Sequence, residues 1–225
     1  VLKKNKINYK VVDCYASNII KELDDCTPFI LQWTQADPTA MMIAYKLTRS
    51  IEEKGVLVFP SSNNSWHFDD KVAQKYLLEA ISAPLVNSYL FYSKQTAKKW
   101  ASSCSYPKVF KLKGGASSNN VRLVENKKHA FRLIKKAFGK GFQRVNRKEL
   151  FYERIRKFKL KPSLTTLFGL IKGVGRLFVK TRLEKVLGPD GGYAYFQDFI
   201  PRNDSDIRVI IIGEKAFGIK RMVRS

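Results

Sequence analysis

Soft metal ligands and reactive side chains are scarce in this chain. Only two histidines, His67 and His129, and three cysteines, Cys14, Cys26 and Cys104, occur among 225 residues. The odd cysteine count and the lack of any CxxC pair argue against a disulfide framework and against a cysteine zinc site. A reducing compartment, the cytoplasm, fits best. So few ligands make a zinc enzyme a poor reading, and a Ser-His-Asp hydrolase would have to use one of those two histidines as its base. Long apolar runs are missing as well: the longest purely aliphatic run is residues 209–212, against the roughly 18–20 residues that span a bilayer. The phosphate-binding signatures GxxxxGK[ST] and GxGxxG are absent, as are internal repeats and low-complexity tracts. Nothing in residues 1–9 resembles a signal peptide.

What is abundant is positive charge. Lys and Arg number 42 against 19 Asp and Glu, a net charge of +23, while 44% of residues are hydrophobic, which excludes a disordered chain. Such a charge attracts polyanions, and nucleic acid, an anionic membrane and phosphate-bearing small molecules compete as partners. The surplus is uneven. Residues 139–192 hold 14 Lys and Arg against 4 Asp and Glu, which favours a local anion-facing surface over uniform basicity. A merely solvated face is the alternative.

Along the chain, apolar runs at 11–15, 28–33 and 55–60 read as strands separated by helices at 16–23 and 38–54, the pattern of a parallel α/β layer. Pro38 suits the first turn of its helix after Asp37, Met42, Ile43, Lys46, Leu47 and Ile51 follow at a spacing near 3.6, and Gly55 ends it. Residues 61–65 read as a polar loop and 69–81 as a helix with Val72, Tyr76, Leu77 and Ala80 inward. Strands follow at 87–92, 107–113 and 121–125, with helices at 95–101 and 127–138. In the latter, Ala130, Phe131, Ile134, Ala137 and Phe138 share one face and five lysines and arginines the other. Strands at 193–199, 206–213 and 215–223 complete the pattern, the last two as a hairpin turning at Gly213 and Glu214. The expected class is α+β, built on at least two sheets.

The most informative stretch runs from Val109 to Val124: a strand carrying Lys111 and Lys113, the small polar loop Gly114, Gly115, Ala116, Ser117, Ser118, Asn119, Asn120, and a second strand. Gly and Ser let backbone N–H groups converge on an anion where larger side chains would obstruct, and a lysine on the incoming strand adds a point charge. By composition alone such a loop is more often just a flexible hairpin tip. Two further clusters bear on that choice. Phe196, Gln197, Asp198, Phe199, Ile200 and Pro201 lead into Asp206, Ile207 and Arg208, and the last strand ends Ile219, Lys220, Arg221. Charges at the ends of such apolar strands more often face a ligand than serve packing.

This order of lysine strand, glycine-rich hairpin, Q-D-F-I-P linker, D-I-R strand and I-K-R strand resembles the ATP-grasp fold, in the carboxylate–amine ligase branch that includes the glutamate ligases modifying ribosomal proteins. Asp70 and Lys71, after Trp66, His67 and Phe68, look like that family's D-K helix start. The resemblance covers about residues 61–138 and 192–225, and more loosely the N-terminal βα units. It implies a fold of two α+β subdomains sandwiching a nucleotide, preceded by a shortened α/β domain. The units would be 1–60, a partial pre-ATP-grasp domain; 61–138, the N-terminal subdomain with the phosphate loop; 139–192, a basic insertion; and 193–225, the start of the C-terminal subdomain.

The implied roles follow residue by residue. Lys71 and Lys111 would contact the phosphates of ATP, with Lys113 adding charge, under a lid formed by Gly114, Gly115, Ala116, Ser117, Ser118 and Asn119. Gln197, Asp198, Phe199 and Ile200 would be the hinge whose backbone reads adenine, and Asp206 would approach the ribose. Arg208 and Arg221 would be catalytic, holding the transferred phosphoryl group or an acyl phosphate. The family's Mg2+ ligands are expected beyond Ser225, because the chain starts at Val1 and stops within what reads as a strand, as an interior piece of a longer one would. A non-catalytic relative is the alternative.

The expected reaction is ATP-dependent activation of a carboxylate as an acyl phosphate, attacked by an amine or similar nucleophile. Such phosphoryl transfer asks for positioning and charge neutralisation, which suits a chain poor in histidine. The expected partner is a small or polymeric anionic acceptor. Within the basic insertion, 163–180 reads as a cationic amphipathic helix weakened by Gly169, Gly173 and Gly175. It would lie on an anionic membrane at its inner face or dock an acidic substrate, or else bury its apolar face in the core. A nucleic-acid module is disfavoured, since the aromatics fall at strand spacing and form no exposed platform.

Overall fold

The computed structural model describes residues 2–34, 37–114, 121–145 and 147–222. After a short 3-10 turn the chain forms helix α1 (Ile19–Glu22), strand β1 (Phe29–Ile30), helix α2 (Pro38–Glu53) and strand β2 (Val58–Phe59), with β1 and β2 parallel. Asp37 caps α2 by accepting from the Thr39 amide (2.9 Å), with Pro38 at the first helical position. The buried stripe of α2 is Ala40, Ala44, Leu47, Thr48 and Ile51, so Met42 lies outside the core. Leu47 and Ile51 meet Ile19, Leu23, Phe29 and Val58 in a small core of their own.

Two expectations for this region are corrected. Residues 11–15 are not a strand: the Asp13 carboxylate accepts from the Tyr15 amide (2.9 Å) and closes a turn, and Tyr15 reaches across to Asp37. Residues 61–65 are not a loop but contain helix α3 (Ser62–Ser65), capped by Ser61 and held by Glu52, which accepts from the Ser62 amide at 2.7 Å and from its hydroxyl.

Helix α4 (Lys71–Ala80) is capped by Asp70. Its most buried residue is Lys75, ion-paired with Glu79 at 2.6 Å, whereas Tyr76 and Ala80 are exposed. Of the expected inward stripe, Val72 and Leu77 are half-buried while Tyr76 and Ala80 face outward, and Lys75 takes the most buried place on the helix.

Strands β3 (Ser88–Phe91), β4 (Lys108–Lys111), β5 (Val121–Val124) and β6 (Ala194–Asp198) make a four-stranded antiparallel sheet in the order β3-β6-β4-β5. Strand β6 therefore joins the sheet of the 61–138 segment, and that sheet closes at Asp198 rather than before Tyr193. Helices α5 (Lys94–Ser103) and α6 (Lys127–Ala137) cover one face. Ala97, Ala101, Ala130 and Ala137 are fully or almost fully buried, and these small side chains let the helices approach Phe110, Phe196 and Val124 closely. Leu133 joins Ala130, Ile134 and Ala137 in the buried stripe of α6, while Phe131 and Phe138 pack at its margin.

Between α6 and β6 the chain leaves the sheet and returns. Phe142 and Asp190 form an antiparallel bridge with backbone hydrogen bonds of 2.7 and 2.8 Å, which closes the base of the excursion. Gly191 is needed at that junction, since a Cβ there would lie 2.7 Å from the Ala137 carbonyl oxygen. The excursion holds helices α7 (Arg147–Leu160), α8 (Leu164–Phe178) and α9 (Arg182–Leu187). Helix α8 lies along α7, and a Cβ on Gly173 would come 2.9 Å from Arg154 Cδ and 3.1 Å from the Phe151 ring. Gly173 is thus an interhelical contact more than a weak point. Arg147 ties the three helices together, with 2.8–3.2 Å hydrogen bonds to the Glu184 carboxylate and one of 3.1 Å to the Leu177 carbonyl. The last described elements are the hairpin strands β7 (Ser205–Ile212) and β8 (Lys215–Met222), which turn at Gly213 in the left-handed region.

Candidate functional site

Alternation along the strands of the central sheet sorts its polar residues onto two faces. Residues directly opposite in the ladder share a face, so Lys108, Phe110, Phe196, Asp198 and Tyr89 lie on the side covered by α5 and α6. Lys111, Gln197, Tyr195 and Ser88 lie on the other. The adjacent residues Gln197 and Asp198 therefore have separate surroundings.

On the open face, Lys111 Nζ donates to Gln197 Oε1, Gln197 Nε2 donates to Ser88 Oγ at 3.0 Å, and Tyr195 OH lies 3.4 Å from the same Ser88 oxygen. Among the described residues no carboxylate lies within ion-pair distance of Lys111. Its only charged influence of note is another cation: burial first, and then the charge of Lys71, hold the Lys111 ammonium below the ordinary lysine value. Lys111 is thus a partly buried ammonium that feels a second cation and, among the described residues, has no carboxylate as its ion-pair partner.

Local geometry brings the second lysine there. Lys71 begins α4, and its amide donates to the Lys113 carbonyl at 2.8 Å, which fastens the start of that helix to the exit of β4. The Lys113 amide in turn donates to the buried Tyr193 hydroxyl at 2.6 Å, and burial pushes the Tyr193 phenol well above its usual range. The backbone entering the glycine-rich loop is therefore pinned on both sides at Lys113, next to the lysine pair. Gly114 follows directly. The candidates Gly115, Ala116, Ser117, Ser118 and Asn119 lie outside the described residues.

Asp198 is engaged on the helix-covered side. It pairs with Lys108 Nζ at 2.6 Å, accepts from Asn87 Nδ2 at 3.1 Å, and lies 3.5 Å from Tyr89 OH, with Lys108 also over the Tyr89 ring. The Lys108 hydrogen bond holds the Asp198 carboxyl below the usual carboxylate range. Phe199 and Ile200 follow β6 as an exposed segment.

The last three candidates sit together, but on the hairpin. Asp206 and Arg221 are opposite one another, and Arg221 Nε donates to Asp206 Oδ1 at 2.8 Å. Arg208 is two residues along the same face, and after Arg221 it helps to lower the Asp206 carboxyl. Among the described residues no ion pair joins this trio to the lysine pair.

Sequence reasoning missed Ser88, Tyr193, Tyr195 and Lys108. The alternation in Lys108-Val109-Phe110-Lys111 contained the signal for one of them, since a period of two places the two lysines on opposite faces. The others depend on β6 entering between β3 and β4, which no local pattern announces.

The chain is similar to ATP-grasp domains. It aligns with an ATP-grasp RimK-domain protein from Sphaerobacter thermophilus at 14% identity and a TM-score of 0.45, over 80% of this chain and 50% of that one. It also aligns with the biotin carboxylase domain of the Hydrogenobacter thermophilus 2-oxoglutarate carboxylase, a complex with MgADP, ADP and bicarbonate, at 15% identity and a TM-score of 0.45, over 85% of this chain and 32% of that one. A biotin carboxylase domain of a thermophilic 2-oxoglutarate carboxylase bound to ADP aligns at 15% identity and a TM-score of 0.33, over 85% and 33%. The chain thus spans half the length of the first of these and about a third of the others. No protein-family model matches the chain, and no curated protein sequence matches it.

Proposed function

We propose that this chain is the nucleotide-binding part of an ATP-dependent ligase of the ATP-grasp kind, in which Lys71 and Lys111 contact the phosphates of ATP. The observation that carries this reading is the lysine pair itself. Lys111 is partly buried, has no carboxylate within ion-pair distance among the described residues and feels the charge of Lys71, so an anion brought to it favours its charged form. A phosphate chain reaching Lys111 from the side of Lys71 would supply that anion, close to the loop that follows Lys113. The ordered motifs of the sequence agree with the same reading.

On this reading the open face of the sheet binds the nucleotide. Gln197 orients Lys111 through its side-chain oxygen, and the backbone of Gln197, Asp198, Phe199 and Ile200 offers hinge contacts to the base. Asp206 faces the ribose, and Arg208 and Arg221 hold the phosphoryl group once the hairpin closes toward the lysines. A ligase of this kind uses ATP to convert a carboxylate into an acyl phosphate, which an amine or similar nucleophile attacks with release of phosphate. The residues present supply positioning and charge neutralisation. Among the described residues, no group of His, Cys, Asp or Glu is placed to hold Mg2+, so the roles assigned to this chain are restricted to binding and orientation.

The test is calorimetric titration of the chain with a non-hydrolysable ATP analogue at physiological salt. Saturable binding that weakens at least about tenfold in Lys111→Met is expected, as for loss of a charge-assisted phosphate contact. Unchanged affinity in that variant would remove Lys111, and the reading with it.

A further inference from the structure

Helix α8 turns only one of its faces to the protein. Thr166, Gly169, Leu170, Gly173 and Leu177 are its less exposed positions, and Arg154 of α7 donates to the Gly169 carbonyl at 2.8 Å. More than a quarter-turn away run Leu164, Leu167, Phe168, Ile171 and Val174, all exposed, with Phe168 and Ile171 each 62% accessible. Of the alternatives that the sequence leaves open, burial of this row in the core does not occur. The structure leaves it as a continuous apolar stripe along the 15-residue helix, a feature that soluble surfaces rarely show without a partner.

The surroundings of the stripe are cationic. Lys172 and Arg176 are exposed on α8, Lys180 follows its end, and the exposed Arg156, Lys157 and Lys159 lie in the last turns of α7 with Lys161 just after it. Long basic side chains at the margin of an apolar row can bury their stems and raise their charges to a headgroup plane. The helix is about 22 Å long at 1.5 Å per residue, and no described helix is long and apolar enough to cross a membrane. Its shape suits lying in the interface.

We infer that α8 docks the protein onto an anionic lipid bilayer, with Leu167, Phe168, Ile171 and Val174 entering the headgroup–acyl boundary and Lys172, Arg176 and Lys180 pairing with lipid phosphates. Other occupants fit less well. A nucleic acid or other polyanion would use the cations but leave the aliphatic stripe in water. A second copy of the chain would bring two surfaces of surplus positive charge together. A bilayer matches both properties, and this surface is independent of the lysine pair on the sheet.

The test is flotation of the full chain with vesicles at about 0.15 M salt, where long-range attraction by the overall charge is screened. Vesicles of phosphatidylcholine with about one quarter phosphatidylglycerol are compared with phosphatidylcholine alone. Binding to the anionic vesicles is expected. It should fall at least about tenfold in Phe168→Ser/Ile171→Ser, which keeps every charge, and similarly in Lys172→Glu/Arg176→Glu, which keeps the stripe. The altered side chains are exposed, so unchanged thermal melts should show that both variants fold. Three results would overturn the inference: no binding by the parent chain, binding indifferent to the serine pair, or a dimer in solution that the serine pair dissolves.

Discussion

At the scale of single residues, the lysine pair and the Lys108–Asp198 pair make opposite predictions with pH. Lys111 has a pKa lowered by burial and by Lys71, so part of its protonation is lost at a pH where an ordinary lysine is still charged. An anion bound to it favours the charged form. Nucleotide binding should therefore take up protons on the alkaline side, and affinity should fall as pH rises through the depressed pKa. Calorimetry in two buffers of different ionisation enthalpy measures that uptake, which Lys111→Met should abolish. Asp198 has a lowered pKa through Lys108, so its stabilising contribution is present above the ordinary aspartate range and lost only as pH falls through the lower folded value. Removing the acid strands Lys108, whose side chain is 8% exposed. Asp198→Ala should cost roughly 2–4 kcal/mol in denaturant unfolding, and Lys108→Met, which leaves the more exposed partner to water, about 1 kcal/mol or less. Asp198→Asn should move the melting temperature more than the affinity for an ATP analogue, because its side chain lies on the sheet face away from Lys111. That distinction was readable in the sequence through the alternation of the strand, but the identity of Lys108 as partner was not, since it depends on the register between β4 and β6.

At the scale of elements, the glycines of α8 separate by what surrounds them. A Cβ on Gly175 meets nothing within 4 Å, so Gly175→Ala should stabilise α8 by up to about 1 kcal/mol through helix propensity alone. Gly173→Ala gains the same propensity but places a methyl against Phe151 and against Arg154, which its hydrogen bond to Gly169 holds in place. A net loss of about 1 kcal/mol is expected. Hydrogen exchange over α7 and α8 distinguishes the two. Most elements were legible because their signals are local. Asp37 and Pro38 announce α2, the apolar stripe announces α6, and Gly213 announces the last turn. The signals that failed were those that a side chain could redirect. Asp13 converts the apolar run at 11–15 into a turn, Ser61 and Glu52 make a helix of a polar pentapeptide, and the most buried place on α4 goes to Lys75, paired with Glu79, which a hydrophobic pattern places outside.

At the scale of the whole molecule, the basic segment is an excursion closed at its base. Phe142 sits in the core of the sheet while its backbone pairs with Asp190, so the ends of the excursion are already in contact without the helices between them. Replacing residues 144–188 by a short Gly-Ser linker should therefore leave the sheet folded and the ATP-analogue affinity unchanged, while abolishing vesicle binding. A collapse of the far-ultraviolet and near-ultraviolet spectra of such a variant would show instead that the helices hold the sheet together. The order β3-β6-β4-β5 had no counterpart in the sequence, because a strand 70 residues beyond β5 inserts between two earlier ones, and it is this insertion that sets Gln197 beside Lys111. The sequence offers the lysines and the glycine-rich loop as a candidate phosphate site, whereas the approach of Lys71 to the exit of β4 depends on the backbone bond from Lys71 to Lys113, which only the folded chain displays.

The central claim is that the phosphates of ATP lie between Lys71 and Lys111. Labelling with an acyl-phosphate derivative of ATP tests it most directly, because a lysine amine beside the bound phosphates attacks the acyl carbon, keeps the acyl group and releases ATP. The account predicts that peptide mass spectrometry will find the label on Lys71 and Lys111, and that excess ATP will remove it from both. Label confined to the surface lysines of residues 139–192, with none on the pair that ATP displaces, would contradict it.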